Sequence, residues 1–443
     1  MLELGPGPAI FIRFGIQRKK SFLKDVGRSY EGLVLPANVL LYQYKSTPTA
    51  VLMCQKPFFV DPMSYLFGQP YEEFKRRAKQ GEPRFKPSFE RLMVGHGLTP
   101  EAFLPYDYTA LLRFLMESRR NVESFTANAM NFQKQRVWTT IQQARELMTE
   151  DQRSTLTEEQ FRPRFFVPPY FLYAPQAGGA AVTTELNRRV LDYSWQDRSE
   201  WGDIFPVIFV QRQHLAPQFR ADILNAYRRF DFPGFCVWVD AFDERDASED
   251  DVRGLIGLVA ELAAGGRQVV MLYGGFFSML LFYYGLSCVC HGLAYGESRA
   301  IGASAQQGSG PAPIRYYVLE LHAFLTLPNA LTLLRERPDL LCNCPACRRI
   351  VRGDPERVID YGQEETMAEI HFLWNRNQER RLIAESTLNA AIENLEWTLE
   401  LNEDIGRITR QYRVNTGFTE RPIVDPAYIR NWKNAMSPAA AGL

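Results

Sequence analysis

The sequence lacks both an excess of charge and any long apolar run. Its 51 lysine and arginine residues balance 51 aspartate and glutamate residues, which argues against a general polyanion-binding protein but permits local basic patches. The most apolar stretch, near residues 279–284, is too short to span a bilayer and has glycines on both sides. The first residues contain no basic segment followed by an apolar one, as a signal peptide would. We therefore expect a cytoplasmic protein with no membrane association.

Cysteine is scarce, and the few cysteines are unevenly placed. Three of the seven are crowded together as Cys342, Cys344 and Cys347, a spacing that suits metal binding better than disulfides. A tetrahedral zinc ion needs four ligands, and a turn containing Pro345 can fold three thiolates around one ion. The pattern therefore predicts a zinc site.

The fourth ligand is predicted to be a histidine from a separate element. His371 lies 24 residues beyond Cys347 within a helical pattern, and His322, on an apolar strand end, is the competing candidate. A closed site of three cysteines and one histidine has no open coordination position, so its zinc would be structural. It would tie the C-terminal helix to the cysteine loop.

Short runs rich in Val, Ile, Phe and Tyr predict a largely parallel β-sheet. From residue 211 onward these runs alternate with helical patterns, which is typical of strand–helix–strand units. Eight or so such strands favour an α/β fold of the closed (β/α)8 TIM-like barrel type over an open sheet. The predicted strands are 9–14, 32–42, 50–60, 164–173, 205–211, 235–240, 268–273, 287–291 and 315–321.

The clearest helix pattern follows the predicted strand that ends at Asp240. Ser248 is a suitable N-cap, and Gly265 with Gly266 is a suitable end. One face of this helix is apolar and is predicted to pack on the sheet. That face consists of Val252, Leu255, Ile256, Val259 and Leu262.

Two regions depart from the alternation of strands and helices, and they define the predicted domains. Residues 71–160 are mostly helical and charged, so we predict a helical insertion within a barrel domain of residues 1–335. Residues 336–443 are predicted to form a zinc-binding and helical C-terminal region.

The cysteine and histidine pattern, after a predicted parallel β/α region, resembles the tRNA-guanine transglycosylase superfamily. That family is a zinc-bearing (β/α)8 barrel that exchanges a nucleobase by a covalent nucleotide–enzyme route. The resemblance implies that Cys342, Cys344, Cys347 and His371 bind structural zinc. It also implies that the chain acts on a purine base in nucleic acid, either tRNA or DNA.

Two glycine-containing strand ends add to the resemblance. Segment 291–297, His-Gly-Leu-Ala-Tyr-Gly-Glu, is similar to the family's base-binding Gly-Gly-Leu-x-x-Gly-Glu, and segment 273–275 stands where the family has a Gln-Gly pair that touches the base. Glycines at these positions let a flat purine approach the backbone closely. The base-binding residues implied by the resemblance are Tyr273, Gly274, Gly275, His291, Gly292 and Leu293.

Aspartates near predicted strand ends are the candidate catalytic residues. Asp243, in a Phe-Asp-Glu sequence, resembles the family aspartate that reads the base edge, and a carboxylate suits the N–H groups of guanine-like bases. Asp61 resembles the family's strand-end aspartate that acts in acid–base chemistry. Asp240 is a third candidate, although its position predicts that it faces the other side from Asp243. The competing interpretation is that these acids pair with neighbouring arginines or cap helices.

Basic clusters are candidate contacts to nucleic acid. Arg348, Arg349 and Arg352 flank the predicted zinc loop, and in the family the zinc region touches the polynucleotide. A second basic cluster occupies residues 75–79. The competing interpretation of both clusters is a solvated helix face.

One family feature has no counterpart here. The family nucleophile is an aspartate on a late strand before the zinc cysteines, and the only aspartate between residues 315 and 342 is Asp339, in a predicted surface turn. The sequence therefore supports two functions. One is an enzyme that removes or exchanges a purine base. The other is a catalytically degenerate relative that serves as a nucleic-acid- or nucleotide-binding subunit of a larger assembly, and a homodimer or a protein partner is possible.

Overall fold

The computed structural model describes residues 7–15, 26–43, 46–69, 85–103, 108–144, 150, 154, 156–173, 180–293, 297–301, 313–416 and 426–437. Within these ranges the protein is a mostly helical α/β structure built on one curled parallel sheet. The basic cluster at 75–79 and residues 294–296 of the glycine-rich segment lie outside the described residues.

Seven short strands form the parallel sheet, and nearly all of their residues are buried. Near-continuous apolar runs suit this environment because helices cover both faces of such a sheet. The hydrogen-bonded order is β3-β2-β1-β7-β6-β5-β4, so the last strand pairs with the first. The strands are β1 Ala9–Arg13, β2 Gly32–Pro36, β3 Phe58–Asp61, β4 Val207–Gln211, β5 Gly234–Asp240, β6 Gln268–Met271 and β7 Leu286–His291.

An extended segment, residues 164–173, lies between the two edge strands. The N–H of Arg164 donates to the carbonyl of Phe58 on β3 at 2.7 Å. The N–H of Tyr173 donates to the carbonyl of Phe209 on β4, also at 2.7 Å. The sheet is thus a half-barrel with this segment at its open side, an arrangement compatible with a TIM-like fold.

The sequence predicts a regular strand at 164–173, and the structure shows only isolated bridges there. Pro168 and Pro169 in the middle of the segment explain the difference. Proline has no N–H to donate to a strand ladder, so continuous pairing stops at these residues.

Two other predicted strands are shorter than expected because part of each run is helical. Residues 37–42, predicted as strand, form helix α1 Ala37–Tyr42, which begins directly after Pro36. Residues 50–54 belong to helix α2 Ser46–Cys54, so β3 begins only at Phe58. These predictions were wrong because short apolar runs do not distinguish a buried strand from a buried helix.

The last predicted strand, 315–321, does not join the main sheet. Its first part is β8 Arg315–Val318, which pairs antiparallel with β9 Ala323–Thr326 in a separate two-stranded sheet. Because β7 is already hydrogen-bonded to β1, no place beside the first strand remains for it.

The remaining helices of the described residues lie within 71–160, between the strands of the sheet, or after β9. None of the described helices is long and apolar enough to cross a bilayer. In chain order they are α3 Pro87–Gly95, α4 Tyr108–Glu117, α5 Arg119–Ala144, α6 Ala180–Gln196, α7 Arg198–Trp201, α8 Pro217–Arg228, α9 Glu249–Ala263, α10 Phe276–Leu280, α11 Leu327–Glu336, α12 Pro345–Ile350, α13 Glu365–Glu385, α14 Leu388–Thr416 and α15 Ala427–Met436.

Helix α9 confirms the clearest helix prediction. Ser248 is its N-cap, and its hydroxyl accepts the N–H of Asp251 at 3.2 Å, while the Asp251 carboxylate accepts the N–H of Ser248 at 3.1 Å. Such a reciprocal capping box satisfies N–H groups that the first helical turn leaves free. Gly265 and Gly266 follow the helix with φ of 82° and 78°, a left-handed conformation that favours glycine.

Candidate functional site

The three cysteines and the histidine predicted as metal ligands lie together. One ligand atom from each of Cys342, Cys344, Cys347 and His371 lies within 4.8 Å of the others. The Nδ1 atom of His371 is 3.4 Å from the sulfurs of both Cys344 and Cys347. Tetrahedral zinc, with Zn–S bonds of about 2.3 Å, holds its ligand atoms roughly 3.5–4 Å apart, so this spacing fits one ion. The four residues form a candidate metal-binding site, and the identity of the metal stays a prediction.

Local sequence brings the cysteines to one point. Cys344 is the N-cap of α12, and its sulfur accepts the N–H of Cys347 at 3.3 Å. Pro345 occupies the first helical turn, where the N–H that proline lacks has no helical partner. The sulfur of Cys342 accepts the N–H of Cys344 at 3.4 Å. This turn places three sulfurs on the side that faces α13.

Aromatic and backbone groups orient the histidine. The Nε2 atom of His371 is 2.8 Å from the carbonyl of Tyr317, so a proton on Nε2 leaves the Nδ1 lone pair facing the sulfurs. The ring of Tyr316 stacks on His371 with centroids 4.3 Å apart. The hydroxyl of Tyr361 is 3.2 Å from the sulfur of Cys347. The first two contacts orient His371, and the third holds Cys347.

His322, the competing candidate for fourth ligand, lies in a different cluster. Its Nδ1 atom is 2.7 Å from Oε1 of Glu379, and its ring stacks on Phe276 with centroids 3.4 Å apart. The described metal-binding group contains His371 and not His322. The structure therefore supports His371 as the fourth ligand.

Asp61 lies at the carboxyl end of β3 and is almost completely buried, with 1% of its surface exposed. Its Oδ2 atom pairs with Nη1 of Arg13, at the end of β1, at 2.8 Å. Its Oδ1 atom accepts the hydroxyl of Tyr170 and the N–H of Met63, both at 2.9 Å. Asp61 therefore pairs with an arginine, as the competing interpretation predicts. It also lies at the end of the sheet where barrel enzymes place their catalytic acids.

Aromatic rings surround this ion pair. Trp238 stacks on Phe209 with centroids 3.9 Å apart, and its edge contacts include Tyr65 at 4.7 Å. The Arg13 guanidinium lies over the ring of Tyr273, 4.2 Å from its centroid. These rings are almost completely buried, and they fix the position of the ion pair.

The two aspartates near the end of β5 have separate partners. Asp243 is partly exposed, and its Oδ1 atom accepts the backbone N–H of Arg245 at 3.0 Å and pairs with its guanidinium at 3.3 Å. Asp240 accepts the N–H of Ile301 at 2.7 Å, and burial raises the pKa of Asp240. Asp240 ends β5 and Asp243 follows it, at the same end of the sheet as Asp61, but within the described residues no hydrogen bond joins either of them to Asp61.

Glu244, next to Asp243, is a site residue that the sequence alone did not single out. Its carboxylate accepts the N–H groups of Gly275 at 2.7 Å, Phe277 at 3.0 Å and Ser278 at 2.9 Å. A carboxylate at a helix N-terminus is favourable because the first N–H groups are free and the helix dipole is positive there. Its place in the Phe-Asp-Glu sequence was the available signal, and its partners lie more than 30 residues further along the chain.

The turn at Gly274 and Gly275 is closely packed by side chains. A Cβ atom on Gly275 would lie 2.8 Å from Oε2 of Glu244 and 3.1 Å from Cδ of Glu297. A Cβ atom on Gly274 would lie 2.4 Å from the hydroxyl oxygen of Ser278. The carboxylates and Ser278 therefore account for these glycines, and purine contact at this turn stays a prediction.

The side chain of His291 packs against helix α13. Its ring meets that of Phe372 edge-on at 5.3 Å, its Nδ1 atom is 2.8 Å from the carbonyl of Gly292, and burial lowers the pKa of His291 to about 3. Successive strand residues point to opposite faces. Contact between the backbone of Gly292 or Leu293 and a base stays a prediction.

A buried ion network connects the glycine turn to the helix that carries the metal ligand. Arg376 forms ion pairs with Glu297 and, at 2.8 Å, with Glu379. Arg376, Glu379 and His371 all belong to α13. Helix α13 therefore contributes His371 to the candidate metal-binding site and Arg376 to the ion pair with Glu297 beside Gly275.

Glu297 should make the protein less stable as the pH rises. Burial raises the pKa of Glu297 from its ordinary 4.5 to about 7, with Glu244 and Glu379 adding to the effect and Arg376 and Arg245 opposing it. Stability contributed by the protonated form is full below pH 4.5 and is lost as the pH rises through 7, a change of at most roughly 3 kcal/mol.

Urea unfolding of the wild type and of Glu297→Gln at pH 5 and pH 8 measures this effect. We expect the variant to lose less stability between the two pH values than the wild type does. Some slope should remain, because burial also raises the pKa of Glu369 to about 7. Identical pH slopes in the two proteins would show that Glu297 does not titrate in this range.

No family model matches this chain, and no curated protein matches it. The resemblance to transglycosylases therefore depends on the cysteine, glycine and aspartate motifs, and it stays a prediction.

Proposed function

We propose that this chain is a zinc-bearing barrel protein that binds a purine nucleotide of tRNA or DNA and removes or exchanges its base. The observation that supports the proposal most strongly is that one helix, α13, contributes residues to both predicted sites. Helix α13 supplies His371 to the three-cysteine cluster and Arg376 to the carboxylates beside Gly275, at the carboxyl end of the parallel sheet. Active sites of α/β barrels lie at that end.

The proposed barrel consists of the seven strands and segment 164–173, which is the fourth in chain order. Its hydrogen bonds to β3 on one side and to β4 on the other support this assignment. Counted in this way, the strands follow each other around the barrel in chain order, as in a (β/α)8 barrel.

Zinc is the metal we propose for the cluster. Three thiolates and one imidazole are the donor set of structural zinc sites, and all four positions are filled by the protein. Such an ion supplies folding free energy and no reaction chemistry. Arg348, Arg349 and Arg352 are exposed beside the cluster and form no ion pair within the described residues, so they are available to phosphates.

The proposed chemistry divides two roles between aspartates. Asp61 acts in acid–base or nucleophilic catalysis at the sugar, and Asp243 holds the base by accepting its N–H groups. In the nucleophilic form, a carboxylate oxygen bonds to C1′ as the glycosidic bond breaks. The purine leaves with the bonding electrons and takes up a proton from water, and water or an incoming base then displaces the carboxylate from C1′. Arg13 and Tyr170 would hold Asp61 in position for either role.

A covalent trapping assay with labelled tRNA and labelled DNA tests this function. The wild type should form a denaturation-resistant adduct or release labelled base, and Asp61→Asn and Asp243→Asn should both lose that activity. Asp339→Asn, which changes an exposed aspartate paired with Arg337, is the matched control. Activity that survives both Asp61→Asn and Asp243→Asn would eliminate the proposed mechanism.

The second candidate function is a binding subunit without catalysis. Two observations favour it: Asp61 already has three hydrogen-bond donors, and the strand after the glycine-rich segment enters a separate sheet instead of bringing a late aspartate to the barrel. Tight binding of tRNA or DNA by the wild type with neither adduct nor base release would select this function.

A further inference from the structure

Arg299 is held at the carboxyl end of the sheet by its own backbone. Its carbonyl accepts the N–H of Ala241 at 3.0 Å and the indole N–H of Trp238 at 3.3 Å. Its guanidinium donates to the hydroxyl of Tyr273 at 3.0 Å and lies 5.5 Å from the ring centroid of Tyr65. The guanidinium is therefore fixed beside the Asp61 ion pair.

Among the described residues, the groups around Tyr273 carry more positive than negative charge. Arg13 and Arg299 both lie over the ring of Tyr273, at 4.2 and 5.8 Å from its centroid. Asp61 is bonded to Arg13, and within the described residues Arg299 has no carboxylate at ion-pair distance. Among the described residues, the Nε atom of Arg13 is also buried without a hydrogen-bond partner.

Three further carboxylates near the end of β5 already have hydrogen-bond or ion-pair partners. Asp240 accepts the N–H of Ile301, Asp243 pairs with Arg245, and Glu244 caps α10. Arg299 is partly buried, and a cation partly removed from water without a counter-charge is costly. A ligand anion would supply the missing partner.

We propose that Arg299, together with the Nε atom of Arg13, binds a phosphate group of the nucleotide whose base the proposed function handles. The proposal rests on that function, because it names the part of the substrate that these arginines hold. Guanidinium groups suit phosphate because their N–H donors match its oxygens. Arg299 also follows the last strand of the sheet, and the ends of the last barrel strands are common phosphate sites.

Calorimetric titration of the full chain at low salt tests the proposal. The ligands are guanosine, guanosine 5′-monophosphate, inorganic phosphate and a short single-stranded oligonucleotide. We expect the monophosphate to bind roughly tenfold or more tightly than the nucleoside, as one charge-assisted contact predicts. Arg299→Met should remove that difference, and Arg299→Lys should retain part of it.

The matched control is Arg253→Met, which removes an arginine that pairs with Glu249 on α9. Equal binding of monophosphate and nucleoside by the wild type, or an unchanged difference in Arg299→Met, would overturn the phosphate site and leave the proposed base chemistry standing. Phosphate binding that depends on Arg299, without any nucleoside binding, would keep the site and remove the base function. Tighter binding of the oligonucleotide than of the monophosphate would identify the phosphate as one in a polynucleotide chain.

Discussion

Cys344→Ser should lose the metal and unfold the region around the cysteine loop and helix α13. The Cys344 side chain is completely buried, and its sulfur faces His371 while capping α12. Structural zinc contributes about 10–16 kcal/mol in small zinc-dependent domains, which is comparable to the whole stability of a typical protein. Loss of one ligand should therefore be a large effect.

Metal analysis and denaturant unfolding measure this outcome together. The wild type should contain about one zinc per chain, and the variant close to none. Cys54→Ser is the control, because Cys54 is half-buried and lies outside the metal cluster. Purified Cys344→Ser that is as stable as the wild type would contradict a structural metal, and so would wild-type protein that is stable without any metal.

Asp61→Asn should destabilise the protein by about 3–5 kcal/mol, because it leaves the Arg13 guanidinium buried without its counter-charge. Urea unfolding measures the loss. Asp339→Asn removes the partner of Arg337 in an exposed pair, and we expect less than about 1 kcal/mol there.

The double variant Asp61→Asn, Arg13→Met separates the lost pair from the lost packing. It should regain part of the stability, since no unpaired charge remains. A single variant Asp61→Asn with wild-type stability would show that the ion pair contributes nothing. In that case, loss of adduct formation in the trapping assay would be a purely catalytic effect.

Much of the fold was predictable because its signals are local. Runs of apolar residues predicted the seven sheet strands, and the capping pattern at Ser248 predicted α9. The errors also have local causes. The apolar runs at 37–42 and 50–54 are buried as helices, and the prolines of 164–173 interrupt a strand that apolar character predicted.

The candidate sites likewise combine features that the sequence predicts with contacts that it does not. Three cysteines within one turn are a local pattern, so the sequence alone predicted the cysteines of the candidate metal-binding site. The sequence favoured His371 over His322, but both are distant from the cysteines along the chain. Only the tertiary structure showed which of them lies beside the sulfurs. The same holds for Arg13 with Asp61, Glu244 with the glycine turn and Arg299 beside Tyr273. The sequence determined which short segments can form strands, caps and a thiolate turn, since those depend on neighbouring residues. Only the tertiary structure decided which charges meet at the carboxyl end of the sheet, since parallel strands distant in the chain bring those residues together.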